Sequence, residues 1–243
     1  MQIEVLGDGE AFAHRVADWI LGLALEQRGD FAILLSGGST PRPIYALLAS
    51  TSFSSRFPWR QAHWFWTDER FVPHTDARSN FRMAWDAMLS HVPVPPENIH
   101  PVRTENVTPE QAASAYEREL KSFYGAGTLE PTRRLFEIAL LGLGEDGHFA
   151  SLFPGHPVLK ERERWAAAVI GAAPEPRITL TYPVLESSRH AAFLVAGGSK
   201  ADILRRFCAG DPDLPASRFQ PLGELGVFAD SAAWPGTNPI ERR

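Results

Sequence analysis

Cysteine is almost absent from this chain. Cys208 stands alone, so neither an internal disulfide nor a cysteine metal cage can form, which fits a reducing compartment. A lone thiol of this kind reads as a small buried hydrophobe. Long apolar runs are missing too: none approaches the ~18 residues of a membrane span. The start, Met-Gln-Ile-Glu-Val-Leu-Gly-Asp, carries an acid and no basic flank, unlike a secretory signal. The expectation is a cytoplasmic protein that does not engage a membrane. Positive charge is not in excess, since 24 Lys and Arg face 29 Asp and Glu for a formal net charge of −5. That balance gives no general cationic field to attract nucleic acid or anionic lipid, although it leaves room for a local cationic pocket. There is no Gly-x-x-x-x-Gly-Lys-Ser/Thr phosphate loop, no Gly-x-Ser-x-Gly nucleophile elbow, and no pair of histidines with convincing metal-ligand spacing. Tandem repeats and low-complexity tracts are also lacking.

What is present is an ordinary globular composition. The 243 residues, 44% of them apolar and 22% charged, suffice for one sizeable core, and the expectation is a single domain over residues 1–243. Short apolar runs rich in β-branched and aromatic residues alternate with stretches of helical period, the pattern of strands joined by crossover helices. The fold class read from this is α/β with a mainly parallel sheet. Strands are expected at 3–6, 31–35, 63–66, 135–141, 165–170, 178–181 and 191–195. Helices are expected at 11–27, through Tyr45, Leu47 and Leu48, at 80–91, at 108–123, and through Ile203 and Leu204. A hydroxyl before Pro41 is expected to cap the second helix. Prolines 93, 95, 96, 101 and 109 mark a loop-rich excursion.

Four of these strands run into polar residues: Ser36 to Thr40, Asp68 to Arg70, Glu145 to His148, and Gly198 to Lys200. In an open parallel sheet ligands collect at the carboxyl ends of the strands, so neighbouring strands would place these four loops on one rim. Ser36-Gly37-Gly38-Ser39-Thr40-Pro41 lets bare backbone approach a ligand and offers amides and hydroxyls at a helix start, which suits a phosphate group. An ordinary glycine turn is the competing reading. Gly142-x-Gly144-x-x-Gly147 matches the dinucleotide fingerprint only formally. Glu145 and Asp146 inside the turn would repel a pyrophosphate, Pro154 interrupts the expected helix, and the segment does not open a βαβ unit.

That same turn holds His148 two residues beyond Asp146. A histidine near a carboxylate can act as a general base, because its unperturbed pKa near 6.5 permits proton exchange at neutral pH. Arg70 and Lys200 are the cations suited to completing a phosphate site, the arginine as a fork and the lysine as a point charge at a helix start; Arg42 and Arg177 are weaker candidates of the same kind.

Several motifs in order resemble the 6-phosphogluconolactonases: Leu35-Ser36-Gly37-Gly38-Ser39-Thr40-Pro41; Trp66-Thr67-Asp68-Glu69-Arg70-Phe71-Val72-Pro73; Ser79-Asn80-Phe81-Arg82; and the run from Leu141 through Gly144-Glu145-Asp146-Gly147-His148 to Gly155. Arg177-Ile178-Thr179-Leu180-Thr181 and Gly197-Gly198-Ser199-Lys200-Ala201 extend the likeness over nearly the whole chain. The related glucosamine-6-phosphate deaminases share the Ser-Gly-Gly-Ser-Thr-Pro loop and the Gly-His turn. They continue with Asn-Glu-Pro, whose glutamate is catalytic, where this chain has Leu152-Phe153-Pro154. They also carry Asp-Glu-Tyr where this chain has Asp68-Glu69-Arg70.

The resemblance implies a three-layer α/β/α sandwich related to the Rossmann topology. It also implies hydrolysis of 6-phospho-D-glucono-1,5-lactone in the oxidative pentose phosphate pathway, with neither metal nor nucleotide cofactor. The partner would be a small sugar phosphate and the protein a monomer or small homo-oligomer. Carried over by motif, His148 would be the general base, and Gly37, Gly38, Ser39, Thr40, Arg70 and Lys200 would surround the phosphate and sugar acid. Asp68 and Asp146 would line the site or orient other groups. A deaminase-like isomerase and a non-catalytic sugar-phosphate binder are the alternatives.

Overall fold

A computed structural model describes residues 1–234 and 236. The chain opens with β1 (Gln2–Leu6), α1 (Gly9–Glu26), β2 (Phe31–Leu35), α2 (Arg42–Ala49), α3 (Thr51–Ser54) and β3 (Ala62–Trp66). It continues through β4 (Asp68–Arg70), α4 (Asn80–Ala87), α5 (Pro109–Tyr124) and β5 (Phe136–Gly142). Then come β6 (Ala166–Val169), β7 (Arg177–Leu180), α6 (Tyr182–Glu186), β8 (Ser188–Val195), α7 (Ala201–Cys208) and β9 (Glu224–Asp230).

Six strands pair in parallel in the order β1-β9-β8-β5-β2-β3. The apolar runs of the central strands are buried on both faces, and successive side chains alternate between two cores. Ile33, Leu35, Trp64, Trp66, Ile138 and Leu140 pack with Val16 and Ile20 of α1, Ile44 and Leu48 of α2, and Ala84 of α4. Leu34, Phe65, Ala139, Leu141 and Phe193 pack with Tyr116 and Leu120 of α5 and with Ile203 and Phe207 of α7. A sheet covered on each face is the three-layer α/β/α arrangement. Each large apolar side chain fully removed from water contributes roughly 1.5–3 kcal/mol, which is what holds the layers together.

Local chemistry starts and stops the helices. Asp8 accepts the Ala11 amide at 2.8 Å to begin α1. Thr108 and Gln111 exchange hydrogen bonds in a capping box ahead of Pro109, and Gly125 ends α5 in a left-handed conformation. Two expectations need correction. No hydroxyl caps α2: Pro41 occupies its N-cap and makes no side-chain bond. The helix expected to reach residue 91 ends at Ala87, because Met88 at φ −146° leaves the helical region, and a single 3₁₀ turn (Leu89–His91) follows.

The segments expected as strands at 165–170 and 178–181 do not join the main sheet. They form a small antiparallel sheet with β4, in the order β4-β7-β6. Among the described residues no helix is long and apolar enough to cross a membrane.

Candidate active site

β8, β5, β2 and β3 are consecutive in the main sheet, so the four polar loops at their carboxyl ends do share one rim. Hydrogen bonds and close packing join three of them. Gly37 lies so close to Asn80 that a Cβ there would sit 1.8 Å from Asn80 Oδ1, and no other residue fits. Asn80 Nδ2 donates to the Asp68 carbonyl at 2.8 Å. Asp68 Oδ2 in turn accepts the Ser151 hydroxyl at 2.6 Å, three residues after His148. Asp68 is buried, and its second oxygen accepts from Thr67 Oγ1 at 3.1 Å. Both of its oxygens therefore face protein donors and tie β4 to the histidine segment.

The His148 turn closes on itself, with the Gly144 amide donating to the His148 carbonyl at 2.8 Å. A Cβ on Gly144 would lie 2.2 Å from His148 Nδ1, so a glycine is what lets the imidazole lie over the turn. Asp146 Oδ1 stands 2.5 Å from His148 Nδ1 and also accepts the His148 amide at 3.1 Å. Burial pushes the Asp146 carboxyl up, but the His148 amide, the imidazole charge and the ring hydrogen bond outweigh it and hold the group below the ordinary aspartate range. An ionised carboxylate only accepts, so Nδ1 carries a proton, and Nε2 is the nitrogen left to exchange one. Among the described residues Nε2 has no hydrogen-bond partner, and Phe153 packs against the ring with centroids 4.5 Å apart.

Arg70 faces Arg177 directly across the β4–β7 ladder. Like charges opposite one another on a sheet are unfavourable. Each has a buried Nε without a partner among the described residues, as do Ser36 Oγ and Asn80 Oδ1. Arg70 Nη1 donates to the Arg78 carbonyl at 2.7 Å. Burial, with Arg70 beside it, lowers the pKa of Arg177 against the opposing pull of Asp68 and Glu175. Two adjacent guanidiniums with donors in hand form a local cationic site on an acidic protein.

The Gly37-to-Thr40 loop supplies further donors. Ser36 is anchored by Tyr45, whose hydroxyl accepts the Ser36 amide at 3.1 Å and donates to its carbonyl at 2.9 Å. The amides of Gly37, Gly38, Ser39 and Thr40 bond to no group among the described residues. Lys200 opens α7 from the β8 end of the rim, and no hydrogen bond or ion pair joins it to the other groups among the described residues. Its loop is held by Asp230, both of whose oxygens lie 3.0 Å from the Gly197 amide.

Residues 7–226 match the model of a family described as glucosamine-6-phosphate isomerases/6-phosphogluconolactonase. The chain belongs to this family. A 6-phosphogluconolactonase from Nostoc sp. is 39% identical over 237 residues, which is 95% of this chain and 96% of the relative. One from Synechocystis sp. is 42% identical over 221 residues, 89% of this chain and 88% of the relative. The crystal structure of 6-phosphogluconolactonase from Thermotoga maritima superposes with a TM-score of 0.79 at 30% identity, covering 94% of this chain and 99% of that one.

Within this family frame, several residues matter more than their sequence signals suggested. Sequence alone ranks Arg177 below Arg70 and Lys200 as a phosphate partner, and only the β4–β7 register sets it against Arg70. Glu69 is buried and accepts the amides of Asn80 at 2.7 Å and Phe81 at 2.8 Å, fixing the start of α4 beneath Asn80. Burial raises its pKa against those same bonds. Ser151 lies in the His148 motif run without a role of its own there, and Asp230 lies in no motif. Their roles come from contacts 83 and 33 residues away in the chain.

Proposed function

We propose that this chain hydrolyses 6-phospho-D-glucono-1,5-lactone to 6-phospho-D-gluconate in the oxidative pentose phosphate pathway, with His148 as the general base. The observation that carries the assignment of the base is the Nδ1 contact with Asp146, which leaves Nε2 as the basic nitrogen at the rim. Nε2 takes a proton from water as the water oxygen bonds to the lactone C1, giving a tetrahedral oxyanion and an imidazolium beside Asp146. Collapse reforms the carbonyl, breaks the bond from C1 to the ring oxygen, and returns the proton to that oxygen. One residue serves both steps, and a general base of this kind contributes ~10²–10⁴-fold. Developing charge on the imidazolium is favoured by the ionised Asp146, the orienting role a carboxylate plays in catalytic triads.

The phosphate is the handle. Arg70, Arg177 and Lys200 with the free amides of Gly37, Gly38, Ser39 and Thr40 would hold it, so that binding remote from C1 sets the lactone against the base. Asp68 acts in this scheme as a positioning residue through Ser151. The reaction runs on a soluble metabolite and suits the cytoplasm.

A discriminating assay follows acid release from freshly prepared lactone, corrected for spontaneous hydrolysis, beside ammonia release from glucosamine 6-phosphate. Acid without ammonia is expected. Ammonia alone would identify a deaminase, and neither product would leave a sugar-phosphate binder. The packing of Phe153 against the imidazole puts an apolar ring where the deaminase pattern has a glutamate, which is why the lactonase outcome is expected.

A further inference from the structure

Away from the His148 rim, a cavity of about 470 Å³ opens between α5 and residues 100–103, with His100, Arg103, Tyr116, Arg118, Glu119 and Phe123 among its walls. Its size falls in the range of roughly 300–1,000 Å³ occupied by small-molecule sites. None of these residues takes part in the chemistry described above.

The charges in the cavity are unequally engaged. Arg103 and Arg118 are exposed and make no hydrogen bond or ion pair among the described residues. The acid between them is already partnered, since Glu119 Oε1 lies 2.9 Å from His100 Nδ1. His100 Nε2 lies 3.0 Å from His63 Nδ1, so a hydrogen-bonded row runs from Glu119 inward. That wall is held in place, because the His100 ring stacks on Phe65 at 4.2 Å with planes only 5° apart. The floor is fixed as well. The Tyr116 hydroxyl accepts the Trp66 amide at 2.8 Å and donates to the Trp66 carbonyl at 3.1 Å. A ligand entering here meets two unpaired guanidinium forks, an aromatic edge, and an acid already bonded to histidine.

We propose that this cavity is a second ligand site that takes a small polyanion, with phosphate or carboxylate groups bridging Arg103 and Arg118. A planar fork pairs two anionic oxygens at once, and two forks on one cavity select a ligand with more than one anionic group over a simple monoanion. Because Tyr116 in the floor is bonded to Trp66 at the end of β3, which leads through Thr67 to Asp68, an occupant would press on the strand that feeds the rim.

The test is a titration of the full chain, ¹⁵N-labelled at histidine, with pyrophosphate and separately with citrate, following the ring resonances. Saturable shifts of His100 and His63 are expected with at least one of the two, and the stronger responder identifies the anionic group preferred. In R103E/R118E the apparent Kd for those shifts is expected to rise roughly tenfold or more, the scale of losing a charged hydrogen bond. His148 reports any anion at the rim separately, and its response is expected to survive that double substitution. Absence of His100 and His63 shifts at millimolar concentration, or shifts that R103E/R118E leaves unchanged, would overturn the proposal. Should the double variant lose its native spectrum, R103Q and R118Q taken singly carry the same expectation at a smaller fold-change.

Discussion

His148 takes its character from the oxygen it faces. Asp146 Oδ1 accepts both the ring Nδ1–H and the backbone amide of the same residue, which fixes the tautomer and the ring orientation together. An asparagine at 146 would present an N–H on some rotamers and carries no charge to favour the imidazolium. D146N is therefore expected to lower kcat by at least ~10-fold, part of the ~10²–10⁴-fold that a positioned base supplies, with KM little changed. Stability should respond as well. The folded pKa of Asp146 lies below its unfolded value, so its contribution is complete above the unfolded pKa and disappears as acidification passes through the folded one. Denaturant titrations across the acidic range are expected to show a shallower loss of stability for D146N than for the wild type. Arg177 offers a binding test. Its guanidinium is half of a pair whose Nε atoms have no partner among the described residues. R177A is expected to weaken phosphorylated-substrate binding by about 1.5–3 kcal/mol, read as a rise in KM with a smaller change in kcat.

Elements explain why those residues meet. β3 ends at Trp66 and β4 begins at Asp68, so a single residue, Thr67, carries the chain out of the parallel sheet and into the antiparallel one. Ser151 closes the junction by donating to Asp68 Oδ2 from 83 residues away. S151A would leave a buried carboxylate oxygen short of a donor, and a loss of about 1–3 kcal/mol of unfolding free energy is expected in urea titrations. Continuous apolar runs such as Phe31–Leu35 and Ile138–Leu141 are readable from sequence because both faces of these strands are buried. Asp-Glu-Arg has little strand propensity and predicts a loop at β4; its pairing with β7 is imposed by tertiary contacts. β9 went unrecognised because Gly226 and its terminal acids reduce the apolar stretch to Val227-Phe228-Ala229. The same limit applies to the site. His148, Asp146 and the glycine loop announce themselves within short motifs, whereas the pairing of Arg177 with Arg70 and the bond from Ser151 to Asp68 come only from register and long-range packing.

At the scale of the whole molecule, a net charge of −5 and a substrate phosphate of about −1.5 to −2 charges repel at a distance. In the proposed scheme, capture would depend on the local field of Arg70 and Arg177 at the rim, with Lys200 at its β8 end. Because the Debye length contracts from ~10 Å at 0.1 M salt to ~3 Å at 1 M, KM for the phosphorylated lactone is expected to rise with ionic strength while kcat holds, which steady-state kinetics across a salt series will show. The rim itself depends on the sheet order, since β8, β5, β2 and β3 must be neighbours for their loops to converge. Convergence brings the His148 turn to the rim that holds the glycine loop and the Arg70–Arg177 pair, and the proposed chemistry rests on His148 Nε2. The most direct measurement is blank-corrected acid release from 6-phosphogluconolactone by wild type and H148A, each confirmed folded by its thermal transition. A loss of ~10²-fold or more in turnover is expected for the variant; near-normal turnover in H148A would contradict the assignment of His148 as the base.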